Sequence, residues 1–313
     1  MRIITITLNP AFDVHCTAKG LTLYHENFVK TGSVDAGGKG INLSRALLAN
    51  KILNEAVVVL GKENAAPFQA ALEADGLQIL PILTQGRIRE NITIHEESLP
   101  ETRISFDGFS CSPELLQKVC ARIGAVDENT FIAFTGSAPS GMDADSILAF
   151  LKTFQDWGAK IIIDSRTIPF SKLVAFRPWL IKPNQDEAAL VSGHSIDSLE
   201  DAVATARALH RAGVTNVLLT LGGDGAVLAC REGVFHAKVP AVEVKSTIGA
   251  GDSTIAGFLD GTRNRLAIRE VLKKAVAYGT AACMQEGTQP PHSGDIQAIM
   301  QTVTISSLSE SMQ

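Results

Sequence analysis

The stretch Lys245-Ser246-Thr247-Ile248-Gly249-Ala250-Gly251-Asp252-Ser253-Thr254, running into Ile255-Ala256-Gly257-Phe258-Leu259, decides how the rest of the chain is read. Glycines at 249 and 251 permit a tight turn and leave backbone N–H groups uncovered by side chains. The apolar spacing of Ile255, Phe258 and Leu259 reads as a helix entering the core, which puts the turn at a helix N-terminus. Unpaired N–H groups there, with the positive end of the helix dipole, make a seat for an anion. Asp252 is out of place in such a seat. Either it caps the helix, an ordinary task for Asp, or it is a base held beside a phosphoryl group. GxxxxGK[ST] does not occur, and Gly249-x-Gly251 is not completed as GxGxxG, so the turn is neither a P-loop nor a dinucleotide fingerprint.

Outward from this turn, the 313 residues are enough for one large domain with a substantial core. A hydrophobic share of 45% and a charged share of 19% are those of a soluble globular chain. The net charge of −5 offers no basic field for nucleic acid or an anionic membrane, so a bound phosphate must be met by local cations. Five cysteines without a CxxC pair predict reduced thiols rather than a disulfide or zinc framework. The first residues lack a signal-peptide core and no apolar run is long enough to span a bilayer. The expected location is the cytoplasm.

Short β-rich runs recur at residues 3–8, 56–60, 131–135, 161–163, 179–181 and 217–221, with helical spacing between them at 146–157 and Leu199–Arg211. The alternation predicts an α/β fold, a mostly parallel sheet sandwiched by helices. Ligands of such sheets bind outside the carboxyl ends of the strands. There this chain places Asp13, Gly136-Ser137, Asp164, Lys182, Asn184 and Gly222-Gly223. Residues 22–34 and 89–109 break the rhythm with β-type patterning, the latter as a hairpin. They are expected to form a small appended sheet lying as a lid over the strand ends, with lid segments at about 14–34 and 87–110 of a single domain spanning 1–313. An edge extension of the main sheet is the alternative. The polar tail at 306–313 is expected to fray.

A second glycine-rich stretch, Asp35-Ala36-Gly37-Gly38-Lys39-Gly40-Ile41-Asn42, opens another helix. Lys39 is electrostatically misplaced at a helix start, which favours a functional use as a point charge for phosphate, with Asn42 one turn on for hydroxyls. In Arg87-Ile88-Arg89-Glu90-Asn91, strand alternation puts Arg87, Arg89 and Asn91 on one face, able to close over an anionic substrate. In Lys182-Pro183-Asn184-Gln185-Asp186-Glu187, Asn184 and Glu187 either complete a capping box or hold Mg²⁺ through its waters. Thr220-Leu221-Gly222-Gly223-Asp224-Gly225 is a glycine-rich turn able to make a hairpin or admit a nucleotide.

Assembled, these stretches resemble the ribokinase-like family, the phosphofructokinase B carbohydrate kinases. The motifs Asn9-Pro10-Ala11-Phe12-Asp13, Gly37-Gly38-Lys39-Gly40-Ile41-Asn42, Gly136-Ser137-Ala138-Pro139, Lys182-Pro183-Asn184-x-x-Glu187, Leu221-Gly222-Gly223-Asp224-Gly225 and Ser246-Thr247-Ile248-Gly249-Ala250-Gly251-Asp252 stand in the family's order. The opening motif and Ser246 are similar to the branch of 1-phosphofructokinases and tagatose-6-phosphate kinases. The resemblance implies an α/β sandwich with a β-lid, often shared in a homodimer. It implies Asp252 as base and the amides of Gly249, Ala250, Gly251 and Asp252 as an anion hole. Asp13, Gly38, Lys39 and Asn42 would hold the sugar; Arg89, with Lys39 and Ser137, would take its existing phosphate, and Asn91 belongs to the same subsite. Lys182, Asn184, Thr220, Gly222, Gly223, Gly225 and Thr247 would line ATP, and Asn184 and Glu187 would serve Mg²⁺ through water. Where this branch reads Arg-x-Asn-x-Lys, the chain has Arg89-Glu90-Asn91-Ile92-Thr93, which lacks a cation and adds an acid.

The expected reaction is phosphoryl transfer from MgATP to a ketohexose phosphate, fructose 1-phosphate first and tagatose 6-phosphate as the alternative. The rivals are a kinase of an unphosphorylated sugar or nucleoside on the same fold and a catalytically silent binding module. A nucleotide-binding dehydrogenase is disfavoured by the missing fingerprint.

Overall fold

The computed structural model describes residues 1–96 and 99–308. The chain begins β1 (Arg2–Thr7), β2 (Ala11–Ala18), β3 (Lys30–Gly37), α1 (Lys39–Ala49), β4 (Glu55–Gly61), α2 (Ala65–Ala74) and β5 (Ile79–Thr84). It continues through β6 (Arg89–Glu96), β7 (Leu99–Ser105), α3 (Leu115–Ile123), β8 (Thr130–Thr135), α4 (Ala144–Asp156), β9 (Lys160–Asp164), α5 (Phe170–Phe176) and β10 (Leu180–Ile181). Then follow α6 (Gln185–Ser192), α7 (Leu199–Arg211), β11 (Asn216–Thr220), β12 (Ala226–Cys230), β13 (Gly233–Lys238), α8 (Ala250–Arg263), α9 (Ile268–Cys283), α10 (Ser293–Thr302) and β14 (Thr304–Ser307).

Among the described residues one sheet has ten strands in the order β14-β13-β12-β11-β10-β9-β8-β1-β4-β5. Pairing is parallel from β5 to β11 and antiparallel from β11 to β14. The parallel strands are buried along almost their whole length because helices cover both faces. Alternate residues serve the two cores: Ile3 packs with α1, α8, α9 and α10, whereas Ile4 packs with α2, α3 and α4. Helices α6 and α7 extend the second layer over β10 to β12. Helix α8 is anchored to α9 by Asp260, which accepts from the Tyr278 hydroxyl at 2.7 Å and pairs with Lys274. That anchor holds the helix whose first turn carries Asp252.

The second sheet has the order β3-β2-β6-β7, so the broken rhythm marks a separate small sheet rather than an edge extension. Two local readings need correction. Strand character is absent from most of 22–29, where Thr22 and Asn27 close a loop on themselves; the strands are β2 and β3 on either side. The start of the tail does not fray, because Thr304–Ser307 pairs with β13 and gains backbone partners there. The turn of the lid hairpin falls partly at 97–98, and the last tail residues at 309–313, outside the described residues. No helix among the described residues is long and apolar enough to cross a membrane.

Candidate active site

Three groups of residues meet where the carboxyl ends of the parallel strands face the small sheet. The first surrounds the mouth of α8. Its N-cap is Gly249, at φ 79°, a left-handed conformation that glycine adopts without strain. Gly251 leaves room for the Lys182 ammonium, which a Cβ there would approach to 2.8 Å and push aside. The Ala250 amide donates back to Thr247 O at 3.3 Å. The amides of Gly251 and Asp252 follow in the first turn, where no intrahelical acceptor is available.

Asp252 is buried, at 4% exposure, and its carboxylate takes a hydrogen bond from Asn42 Nδ2 at 3.1 Å. Burial and the neighbouring Asp164 push its carboxyl up to about 7, while Lys39, Asn42 and Lys182 pull the other way. Asp164, at the end of β9, is equally buried and lies between two lysines, 3.2 Å from Lys39 and 3.6 Å from Lys182. Two carboxylates and two ammonium groups thus share one desolvated site. Lys39 stays charged: burial opposes it, but Asp164, Asp252 and Glu187 together outweigh that and raise it. Gly136, at φ 91°, turns the chain after β8 beside Lys39; a Cβ added there would lie 3.6 Å from the Lys39 Cβ. Ser137, beside it, is exposed and receives a hydrogen bond from Asn9 at 3.1 Å.

The second group is one face of the small sheet. Cross-strand register places Gly37, Ala11 and Arg89 in one row, and Asp35, Asp13 and Asn91 in the next. Asp13 packs closely against Gly37, at the start of the Gly37-Gly38-Lys39 turn, so this face continues into the first group. Asn91 donates to Asp13 Oδ1 at 2.8 Å, and Arg103 of β7 approaches the same oxygen at 3.4 Å. Arg89 Nε and Asn91 Oδ1 are buried without a partner. Burial lowers the Arg89 guanidinium below its usual range, with Asp13 opposing and Arg103 adding to the drop.

The third group lines a cavity of about 760 Å³ beside α8, which includes Asn184, Thr220, Gly222, Gly223, Gly225, Thr247, Ala250 and Gly251. Its floor is a wall that the sequence motifs did not announce, including Thr254, Val276, Gly279 and Cys283. Lys182 is not part of it; it borders a neighbouring cavity of about 500 Å³ together with Asp164, Arg166 and Glu187.

A family model described as pfkB family carbohydrate kinase matches residues 12–293. The chain belongs to the pfkB family of carbohydrate kinases. It is 32% identical to a 1-phosphofructokinase of Haemophilus influenzae, with 97% of each chain covered. It is 30% identical to a 1-phosphofructokinase of Escherichia coli, covering 97% of this chain and 98% of that one. The crystal structure of a putative phosphofructokinase from Staphylococcus aureus superposes with a TM-score of 0.84 at 28% identity, covering 98% and 99% of the two chains. The fold is also that of Escherichia coli phosphofructokinase-2, solved in complex with substrates and products, at a TM-score of 0.88 and 23% identity over 96% of this chain and 99% of that one.

Within this pfkB chain the motifs converge, with exceptions. Arg87 precedes β6 and bonds Glu90 at 2.6 Å, so it does not join Arg89 and Asn91 on the shared face. Glu90, the acid that departs from the branch pattern, alternates to the opposite face and is spent on Arg87. Asn184 and Glu187 form a complete capping box for α6, and Arg166 adds an ion pair to Glu187 at 3.0 Å. Asp164 and Arg103 are central here; the sequence placed Asp164 at a ligand-facing strand end without giving it a role, and did not mark Arg103 at all. Asp164 had a signal, a carboxylate directly after the apolar run 161–163; Arg103 had only its place in a strand alternation.

Proposed function

We propose that this carbohydrate kinase transfers the γ-phosphoryl group of ATP to a hydroxyl of a ketohexose phosphate, with fructose 1-phosphate as the acceptor and fructose 1,6-bisphosphate as the product. The observation that carries the reading is the buried Asp252 carboxylate at the mouth of α8, poised near neutrality between Asn42 and the Lys39–Asp164–Lys182 chain. A base works best when its pKa lies near the working pH. The two 1-phosphofructokinases that align over 97% of the chain support the choice of acceptor.

In this mechanism Asp252 accepts the proton of the attacking hydroxyl as the new O–P bond forms and the bond to the leaving diphosphate breaks. Asn42 Oδ1, buried and unpartnered, accepts from a sugar hydroxyl. The amides of Gly251 and Asp252, with the Ala250 turn and Gly249 beside them, face the charge that builds on the transferring group; each such donor contributes roughly 3 kcal/mol. Lys39 and Lys182 neutralise the incoming charge. Asp13, Gly38 and Asn91 shape the sugar pocket, and Arg89, Lys39 and Ser137 meet its phosphate.

The nucleotide fits the 760 Å³ cavity, whose rim at Gly222 and Gly223 is open. Asn184 and Glu187 would hold Mg²⁺ at the edge of this cavity, where the ion would offset phosphate charge. The donor set suits that ion only through its waters, because Asn184 Oδ1 and both Glu187 oxygens already have partners in the capping box and Arg166.

We assign the enzyme to the cytoplasm, in keeping with its five free cysteines. We assign it to a homodimer joined through the lid. There Val34, Val14, Ile92 and Ile104 form one cross-strand row on the face opposite Asp13, and Val34 and Ile104 are 53% and 44% exposed. The deciding experiment is kcat/KM with ATP for fructose 1-phosphate, tagatose 6-phosphate, fructose 6-phosphate and fructose, read by coupled ADP release. A preference for fructose 1-phosphate supports the reading; turnover confined to the unphosphorylated sugar overturns it.

A further inference from the structure

The lid lacks a cation at Thr93 but has one directly opposite. Thr93 of β6 pairs with Arg103 of β7 on one side and with His15 of β2 on the other, so the three share the face that carries Asp13, Asn91 and Arg89. Thr93 is buried and short, which leaves the surface above it low between two taller neighbours. The Arg103 side chain is half exposed, and its contact with Asp13 is a single one, at 3.4 Å, to an oxygen that Asn91 already occupies at 2.8 Å. A guanidinium carries five N–H donors in a planar fork, so most of this one's capacity is unspent on Asp13.

Charge points the same way. Arg89 and Arg103 both act on Asp13, and they repel each other. Asp35, the neighbour of Asp13 in β3, takes a hydrogen bond from Ser33 instead. Two guanidinium groups therefore share one carboxylate, and Arg89 Nε is buried with no acceptor. An exposed ion pair of that length adds little to stability. The arrangement becomes complete when a dianion supplies the missing acceptors.

We propose that Arg103 recognises the phosphate already present on the acceptor sugar, closing on it with Arg89 above Thr93 and so replacing the cation that Thr93 does not supply. The inference rests on the sugar-phosphate reading of the same site and adds the residue that makes the enzyme select a phosphorylated acceptor.

The test compares wild type, Arg103→Gln, Arg103→Lys and the double variant Thr93→Lys/Arg103→Gln with fructose 1-phosphate and with fructose, at saturating ATP. Arg103→Gln should raise KM for fructose 1-phosphate by at least about tenfold, the scale of one charge-assisted hydrogen bond. It should leave kcat within about threefold and lower kcat/KM for fructose far less than that for fructose 1-phosphate, since the binding of the phosphate is removed alike from ground and transition states. Arg103→Lys, which keeps the charge but loses the fork, should fall between. Moving the cation back across the strand pair in Thr93→Lys/Arg103→Gln should recover most of the lost KM, a result that a purely structural role for Arg103 would not give. The inhibition constant of inorganic phosphate against fructose 1-phosphate should rise in Arg103→Gln as KM does. An unchanged KM for fructose 1-phosphate, or equal losses with both acceptors, overturns the proposal for Arg103 while the sugar-phosphate reading stands. A wild-type enzyme that prefers fructose overturns both.

Discussion

Asn42 and Asp252 are 210 positions apart in the chain, and the side-chain amide of one donates to the carboxylate of the other at 3.1 Å. The contact ties the first turn of α1 to the first turn of α8. It orients Asp252 through the amide nitrogen while leaving the side-chain oxygen of Asn42 free of protein partners. A hydroxyl held between the two would face both a proton acceptor and a hydrogen-bond acceptor.

Replacing Asp252 by Asn keeps the shape and removes the base. Turnover should fall by about 10²–10⁴-fold, the usual contribution of a positioned base. Dissociation constants for nucleotide and sugar phosphate, read by calorimetry, should change only a few-fold. Near-full turnover in the Asn variant would return Asp252 to a structural role.

Because Asp252 sits near 7 in the folded protein and ionises near its ordinary value of 3.8 when unfolded, the folded state binds the extra proton between those limits. Its burial therefore weakens the fold progressively as pH rises from about 4 to about 7, and by a constant amount above. Stability of Asp252→Asn relative to wild type should grow from pH 5 to pH 8, by at most about 3 kcal/mol at 1.4 kcal/mol per pKa unit. Wild-type kcat/KM should fall as pH drops through about 7, as the base becomes protonated. Urea melts at the two pH values and a rate profile check both signs.

Asp164→Asn tests the charge cluster itself. Asp164 raises the Asp252 carboxyl, so removing its charge should move the acid limb of the rate profile to lower pH. The same change leaves the buried Lys182 and the partly exposed Lys39 facing a single carboxylate, which should cost about 1–3 kcal/mol of unfolding free energy, since solvent at Lys39 screens part of the loss. A profile that does not move would show that the two acids are uncoupled.

Glu187 serves two ends at once. Glu187→Gln can still accept from the Asn184 amide but loses the Arg166 ion pair, an exposed contact on the arginine side. Thermal stability should therefore shift by no more than about 1 kcal/mol, whereas the Mg²⁺ concentration for half-maximal rate should rise several-fold because a carboxylate holds the ion's waters better than an amide. Equal metal dependence in both proteins would confine Glu187 to the helix cap.

The lid row offers a test of assembly. Ile104→Glu places a charge in the exposed apolar row Val34-Val14-Ile92-Ile104. Sedimentation should show a shift from dimer to monomer, with kcat/KM reduced where the lid loses support. A wild-type protein that sediments as a monomer would remove the lid interface.

Much of this molecule was fixed by local sequence. Alternating β-rich runs and helical spacing determined the layered sheet, since strands buried on both faces need continuous apolar side chains. The glycines at 249 and 251 determined the turn, because backbone freedom and a missing Cβ are properties of single residues. Weaker local signals misled: residues 22–29 carry β-type side chains but close a loop, and 306–307, polar as they are, find backbone partners in β13. The tertiary structure alone decided which charges meet. Asp164 falls between Lys39 and Lys182, and Arg103 falls opposite Thr93, because of sheet order and strand register. The first relation joins segments far apart in the chain, and the second depends on hairpin register, where a shift of one residue in pairing would send Arg103 to the other face from Thr93.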